Sequence, residues 1–394
     1  MQRKPVRLRL DSPLIARKYD KIIISMAPKT TLRCKICVLP VDKALTHGYL
    51  GSDSEGVCDF CRSHRRRFSK SKDTSVLKSK LDKVIEWAKR SAKGRYDCLV
   101  PISGGKDSLA VLDYLTTTYR GLRILTVTID NGFLNPESLD RCKKVTGALG
   151  VDHVLWQPPH IRKLAKIFLE KTGHFCCPCE ITLMNVIHKL TWEHRIPLVA
   201  LGSSTKYDGA HPETANPWTP PFFEEVIRDE KDKDELRKGV ADKFLLLAFG
   251  MRVLSGAVKV LTLPDYLEWN KTANRETLNQ KYGVNIGEEH EDCLAAPVAD
   301  WLYKRRCGFG QKASSIAALV RNGLISRDEG LKMLEDIDEF GETFPEDLAR
   351  FFLEGTGMSV EEVKACSLKK PDPYFNLAFK ALSLARKAMS LSIA

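Results

Sequence analysis

The sequence predicts an α/β protein built on a parallel sheet, and three observations carry that expectation. From Tyr96 onward short apolar runs alternate with helical stretches, the order that makes right-handed strand–helix–strand units. The first run, Y-D-C-L-V-P-I, stops at Ser103-Gly104-Gly105-Lys106-Asp107-Ser108, a polar glycine loop at a strand end. Two C-x2-C pairs near the start mark a small metal-bounded unit ahead of the sheet.

Composition agrees. The 394 residues are 43% hydrophobic and 28% charged, which excludes a disordered or collagen-like chain. No apolar run reaches the ~18–20 residues that cross a bilayer. Residues 1–33 hold nine basic and two acidic side chains without an apolar core, which speaks against a secretory signal and less strongly against a transit peptide. Net charge is +12, yet residues 1–95 alone carry 24 basic and 9 acidic side chains. The basic character therefore belongs to the N-terminal part, where it suits nucleic acid, anionic lipid or an acidic partner, or simply a solvated helix face. Short-spaced cysteines in a chain without a secretion signal point to metal or redox chemistry in a reducing, cytoplasmic setting.

The elements follow in order. Residues 1–33 read as a basic leader, 34–61 as a Cys-bounded knuckle, and 62–95 as a basic linker and helix. In that helix Leu77, Leu81, Val84, Ile85 and Ala88 recur at helical spacing over Val76–Lys93, with Gly94 as its expected stop. Residues 96–240 form the α/β domain. Its helices are expected at Leu109–Tyr119, from Asn135-Pro136 to Leu149, at Ile161–Lys171 and at Glu180–Arg195. Its later strands are R-I-L-T-V-T-I-D, H-V-L-W-Q and P-L-V-A-L. Beyond Ser204 come a Pro-rich loop, P-E-T-A-N-P-W-T-P-P, and one mixed-charge helix, E-E-V-I-R-D-E-K-D-K-D-E-L-R-K. Residues 241–394 read as a helical substrate-binding region, with 242–300 ambiguous. Ser326 and Glu329 predict a capping box there.

The loop after the first strand is the most informative string. Adjacent Gly104 and Gly105 let backbone N–H groups turn inward as a nest for oxyanions. Ser103 and Ser108 add hydroxyls, Lys106 adds a point charge, and the next helix presents its positive end to the same place. It is not a Walker A loop, because G-x-x-x-x-G-K-[ST] is absent. Asp107, and more weakly Asp208, are candidate Mg2+ ligands, the alternative for each being a cap or turn.

The cysteines form two groups. Cys34-x2-Cys37, twenty residues, then Cys58-x2-Cys61 is the spacing of a structural Zn2+ site; a redox pair or iron–sulfur cluster is the alternative. Cys176-Cys177-Pro178-Cys179 opens a helix, where thiol pKa values are expected to fall. Cys176 and Cys179 make a second C-x2-C pair, and either Cys293 or Cys307 is available as a third ligand. A structural metal site or buried thiols are the plainer readings.

The loop resembles that of the PP-loop ATP pyrophosphatase superfamily, whose fold is described as adenine nucleotide alpha hydrolase-like. The resemblance implies ATP cleavage between the α and β phosphates. It implies nucleotide contacts at Asp130, within Ile129-Asp130-Asn131-Gly132, and at Gly202 and Ser203, ahead of Ser204. Strand ends are where sheet geometry puts ligands in any case. Attack of a substrate oxygen on the α phosphorus gives an adenylated intermediate and pyrophosphate, with Mg2+, Lys106 and the nest stabilising the leaving charge. The second Cys group is similar to the tRNA-thiolating branch, in which such cysteines hold an iron–sulfur cluster or carry persulfide.

Three blocks resemble the N-acetyl sugar amidotransferases of surface-polysaccharide synthesis. They are R-C-K-I-C-V-L-P with G-V-C-D-F-C-R, the strand with S-G-G-K-D-S, and L-Y-K-R-R-C-G-F-G-Q with V-R-N-G-L-I-S-R-D-E-G. This resemblance implies conversion of an acetamido group on a nucleotide sugar to an acetamidino group. The ammonia would come from a separate glutaminase subunit. It also implies that Gly308, Phe309, Gly310, Gln311 and Arg327 shape the C-terminal wall of the site. F-C-C-P-C departs from that family. Nitrogen transfer is thus the first expectation. Sulfur transfer to tRNA or a small metabolite through Cys176 and Cys179 is the second. A non-catalytic nucleotide-binding assembly subunit is the third, and intact Lys106, Asp107 and Ser108 speak against it. The basic first 95 residues also fit RNA, although no aromatic-interleaved recognition module is visible.

Overall fold

Five strands pair in the order β3-β2-β1-β4-β5, every neighbour parallel. They are β1 (Cys98–Pro101), β2 (Ile124–Ile129), β3 (Asp152–Trp156), β4 (Leu198–Leu201) and β5 (Lys259–Thr262). The computed structural model describes residues 31–68, 74–204, 206–209, 219–287 and 291–367. Residues 1–30 of the expected leader, and most of P-E-T-A-N-P-W-T-P-P, lie outside the described residues. Chain order reverses between β1 and β4, so the loops leaving these two strands diverge and open a crevice at their carboxyl ends.

Helices α1 (Asp59–Phe68) and α2 (Thr74–Ser91) precede the sheet; α3 (Lys106–Thr118), α4 (Pro136–Leu149), α5 (Ile161–Thr172) and α6 (Cys177–Glu193) connect its strands. Side chains alternate across β1. Cys98 and Val100 pack with Leu81, Ile85, Leu109 and Leu112 on one face, while Leu99 packs with Val186 and Leu190 on the other. Each fully buried Leu or Ile contributes about 1.5–3 kcal/mol. α4 starts as expected, with Pro136 at N1 and the Asn135 side chain accepting from the Glu137 N–H.

Four expectations need correction. The boundary at residue 240 cuts the sheet, because β5 comes from the ambiguous segment; a four-residue strand is too short to show a period. The expected mixed-charge helix is two, α7 (Pro220–Ile227) and α8 (Lys233–Arg237), with Arg237 folded back onto Glu224 by paired hydrogen bonds of 2.6–3.1 Å. α2 ends at Ser91, before Gly94, which instead allows a close approach: a Cβ there would lie 2.1 Å from the His194 carbonyl oxygen. α6 begins at Cys177 with Cys176 as its N-cap, so Cys177 and Cys179 lie in its first turn and do not merely precede it.

The chain continues through α9 (Lys243–Leu254), α10 (Lys271–Tyr282), α11 (Ala296–Cys307), α12 (Gln311–Arg321), α13 (Arg327–Glu335), α14 (Glu346–Thr356) and α15 (Val360–Cys366). The Ser326–Glu329 capping box is present at the start of α13. The knuckle does not stand apart. Its Cys34, Val38, Leu39 and Leu50 share one core with Phe309, Ile316 and Val320 of the C-terminal region. Arg33 and Glu339 make two 2.7 Å hydrogen bonds, and Arg327 donates to the carbonyls of Cys34 and Cys37 at 3.2–3.3 Å. No helix among the described residues is long and apolar enough to cross a membrane.

Candidate active site

The crevice between β1 and β4 is a cleft of about 650 Å³, within the usual range for a small-molecule site, about 300–1,000 Å³. Its floor is the loop from Ser103 to Ser108. Gly104 takes φ +83°, and a Cβ there would lie 2.3 Å from the Ser138 carbonyl oxygen, so only glycine fits. Gly105 caps α3 with no side chain over the helix start, which leaves that end to the cleft. The Ser108 hydroxyl accepts from the Ser103 N–H at 3.2 Å and donates to the Gly105 carbonyl, tying the loop closed. Gly202, from the end of β4, lets that strand approach: a Cβ would meet the Ser108 nitrogen at 2.9 Å. Strand, loop and helix at a sheet reversal are the PP-loop arrangement expected from the sequence.

Two residues at this site were not legible beforehand. Arg141 of α4 is 5% exposed, and it donates to the Gly104 carbonyl at 2.9 Å and the Asn285 carbonyl at 3.0 Å. It thereby braces the loop against the segment that carries Asn285. Lys271, at the start of α10, lies 2.8 Å from Asp208 and 3.9 Å from Asp107. The Trp269 indole donates to Asp107 at 2.7 Å. The two candidate Mg2+ ligands therefore converge on one lysine, a second cation beside Lys106. A guanidinium in an amphipathic helix gives no motif, and Lys271 lies in the ambiguous segment.

Burial raises the Asp107 carboxyl above the usual carboxylate range, partly offset by Lys271, the Trp269 hydrogen bond and Lys106. A raised acid contributes its stability below the unfolded pKa and loses it as pH rises through the folded one. Asp107→Asn is therefore expected to raise the unfolding temperature at neutral pH and to flatten the decline above the ordinary carboxylate pKa. Melting curves across that range check it, and an unchanged decline counts against it.

Asp130 does not line the cleft. Its carboxylate accepts from the Gly132 N–H and the Gln157 amide, both at 2.9 Å, and the neighbouring Ile129 and Asn131 face the cleft in its place. Gly202, Ser203 and Asp208 do line it. Of the five residues expected in the C-terminal wall only Gln311 does so. Phe309 is buried against the knuckle and Arg327 is turned to the knuckle carbonyls.

Cys176, Cys179 and Cys293 line the same cleft as the loop, although among the described residues only the knuckle cysteines stand close enough together to form a ready-made metal group. Cys307 is not; it is fully buried in the knuckle core. Cys293 arrives because its segment bridges Leu134, with the Leu294 N–H donating to the Phe133 carbonyl at 2.8 Å. The expected lowering of these thiols does not occur. Burial pushes Cys176 and Cys177 well up and Cys179 to about 12, and it raises Cys293. Desolvation outweighs the helix terminus.

In the knuckle all four sulfurs lie within 4.8 Å of one another and all four residues are buried. The Cys34–Cys61 and Cys37–Cys58 separations are 3.9 and 3.7 Å. A tetrahedron with Zn–S bonds of ~2.3 Å has edges of ~3.8 Å. Hydrogen bonds from the Cys37, Cys58 and Cys61 thiols hold Cys34 far below the usual range, and the same contacts with burial push the other three far up. One thiolate is accommodated alone; four need a cation.

Residues 276–386 match the family model described as LPS biosynthesis protein WbpG-like, C-terminal domain. Over 307 residues the chain is 22% identical to an uncharacterized protein of Methanocaldococcus jannaschii, covering 77% of this chain and 93% of that one. The solved structures it is similar to include the U34-tRNA thiolase NcsA from Methanococcus maripaludis with its 4Fe–4S cluster. That match has 16% identity, 85% and 96% of the two chains covered, and a TM-score of 0.32. Another is an NH3-dependent NAD synthetase from Campylobacter jejuni, at 13% identity, 56% and 100% coverage and a TM-score of 0.27.

Proposed function

We propose that this PP-loop α/β protein adenylates an acceptor oxygen with ATP and then replaces that oxygen with sulfur. The observation that carries the reading is the convergence of Cys176, Cys179 and Cys293 on the cleft that holds the phosphate loop. The loop N–H groups, Lys106 and Lys271 stabilise charge on the departing pyrophosphate. Asp107 and Asp208 are the carboxylates suited to Mg2+ there, and Arg141 keeps the loop in its binding shape. The acceptor oxygen attacks the α phosphorus, pyrophosphate leaves, and AMP then carries that oxygen away when the incoming atom displaces it. Cys176, Cys179 and Cys293 would hold a thiophilic iron centre there, which would carry sulfide from an external donor to the activated carbon. Zn2+ suits the four-thiolate knuckle, in a structural role.

An RNA acceptor suits this chemistry. Arg65, Arg66 and Arg67 are exposed on α1. His64 of the same helix bonds Asn322 at 3.1 Å, and Asn322 donates to the Lys206 carbonyl at 2.7 Å, beside Asp208. A hydrogen-bonded path thus leads from this basic helix to Lys206, two residues from the cleft-lining Asp208. The second reading is nitrogen transfer onto the acetamido group of a nucleotide sugar, with ammonia from a separate glutaminase. The match of residues 276–386 to a polysaccharide-synthesis family favours it.

Cys176→Ala separates the two. Under the sulfur reading, ATP-dependent thiolation of RNA is expected to fall at least ~100-fold, the scale set by loss of one group acting in the transition state. Amidination of the sugar with added ammonia would survive the change. Anaerobic preparation should yield a brown, iron-containing protein; a colourless one without iron, active with ammonia, overturns the sulfur reading.

A further inference from the structure

Asn131 stands in the loop after β2, between the nucleotide side of the cleft and the thiols. Its Oδ1 accepts the Phe133 N–H at 3.0 Å, while its Nδ2 lies 3.5 Å from Cys179 Sγ and 3.6 Å from Cys293 Sγ. The first contact settles the orientation of the amide. Turned over, it would aim its own N–H groups at the Phe133 N–H and leave that donor without an acceptor. An asparagine Nδ2 carries two hydrogens, so each sulfur can receive one. The two cysteines come from segments 48 and 162 positions away along the chain, so local geometry did not put them there.

We propose that Asn131 is a positioning residue that pins Cys179 and Cys293 into one electron-rich sulfur pair able to hold a soft metal. N–H donors favour sulfur that bears negative charge, and a second shell of this kind orients ligands and tunes a thiophilic centre. The loop that carries Asn131 leaves the strand next to β1 and bridges the Cys293 segment through Leu134. The inference deepens the sulfur reading of the same cleft and takes its purpose from it.

Two substitutions separate this role from a structural one. Asn131→Ser keeps an oxygen that can accept the Phe133 N–H, and so keeps the turn, but is too short to serve both sulfurs. Asn131→Ala loses turn and donors together. The probe is Cd2+ alone, titrated anaerobically into the full zinc-loaded chain. Binding is read by sulfur-to-cadmium absorption, with the Cys179→Ala/Cys293→Ala double variant as the blank. Both Asn131 variants are expected to bind cleft cadmium about 10- to 100-fold more weakly than the wild type, with knuckle zinc and unfolding temperature unchanged for Asn131→Ser. Wild-type affinity in Asn131→Ser overturns the assignment, as does a wild-type chain that binds no more cadmium than the blank. A normal cadmium titration in a protein that never thiolates an acceptor would sink the sulfur reading and leave Asn131 in its role.

Discussion

Lys106→Ala is expected to lower ATP-to-AMP turnover by about 100- to 1,000-fold, the range for removing one charge stabiliser at a transition state. Lys106 is the first residue of α3, directly after the Gly105 cap, so under the proposed function its ammonium and the helix N-terminus would act on the same phosphates. The loop itself should survive. Its shape is held by Ser103, Ser108 and Arg141, none of which the substitution touches. Lys271 leaves a second positive charge at the same site, so some activity remains. Pyrophosphate release measured beside the unfolding temperature checks both halves. Undiminished AMP formation in the variant would remove Lys106 from the mechanism, and release of ADP and orthophosphate by the unaltered chain would remove the mechanism itself.

Cys58→Ser is expected to cost the knuckle its metal, and the damage should spread beyond the knuckle. Binding of zinc by a four-thiolate unit of this size supplies on the order of 10 kcal/mol of folding free energy. Cys58 lies in one buried core with Phe309, Ala313 and Ile316, and the helix that carries the last two sends Gln311 and Ser315 into the cleft. Loss of metal should therefore expose α11, α12 and α13 to protease and weaken acceptor use more than ATP binding. Cys307→Ser is the control. It buries a hydroxyl in that same core, at a cost of about 1–3 kcal/mol, but it removes no ligand and should keep the metal. Full metal content in purified Cys58→Ser protein would exclude a closed four-thiolate site.

Local features were readable from the sequence because each is encoded within a few residues. The six-residue loop, the Asn135-Pro136 helix start, the Ser326–Glu329 capping box and each C-x2-C pair are strings of a few adjacent residues. The readings that failed were of another kind. Gly94 is a glycine for the sake of His194, a hundred residues on. Asp130 sits at the correct strand end but is turned away by Gln157. The thiol acidity expected from a helix start was overruled by burial, which depends on what packs over the helix.

The choice between Cys293 and Cys307 marks the division most clearly. Spacing alone treats them as equals, since each follows the Cys176–Cys179 pair at long range. The fold sends one to Asn131 in the cleft and the other into the core of the knuckle. Likewise Lys271, Trp269 and Arg141 meet the phosphate loop only because the sheet reverses between β1 and β4 and gathers distant segments over one crevice. The sequence alone therefore determined the chemistry on offer: a phosphate cradle, a metal knuckle and a pair of thiols one helical turn apart. Only the tertiary structure decided which groups act together, because convergence across more than a hundred residues follows from strand order and crossover packing and leaves no periodic trace in the chain.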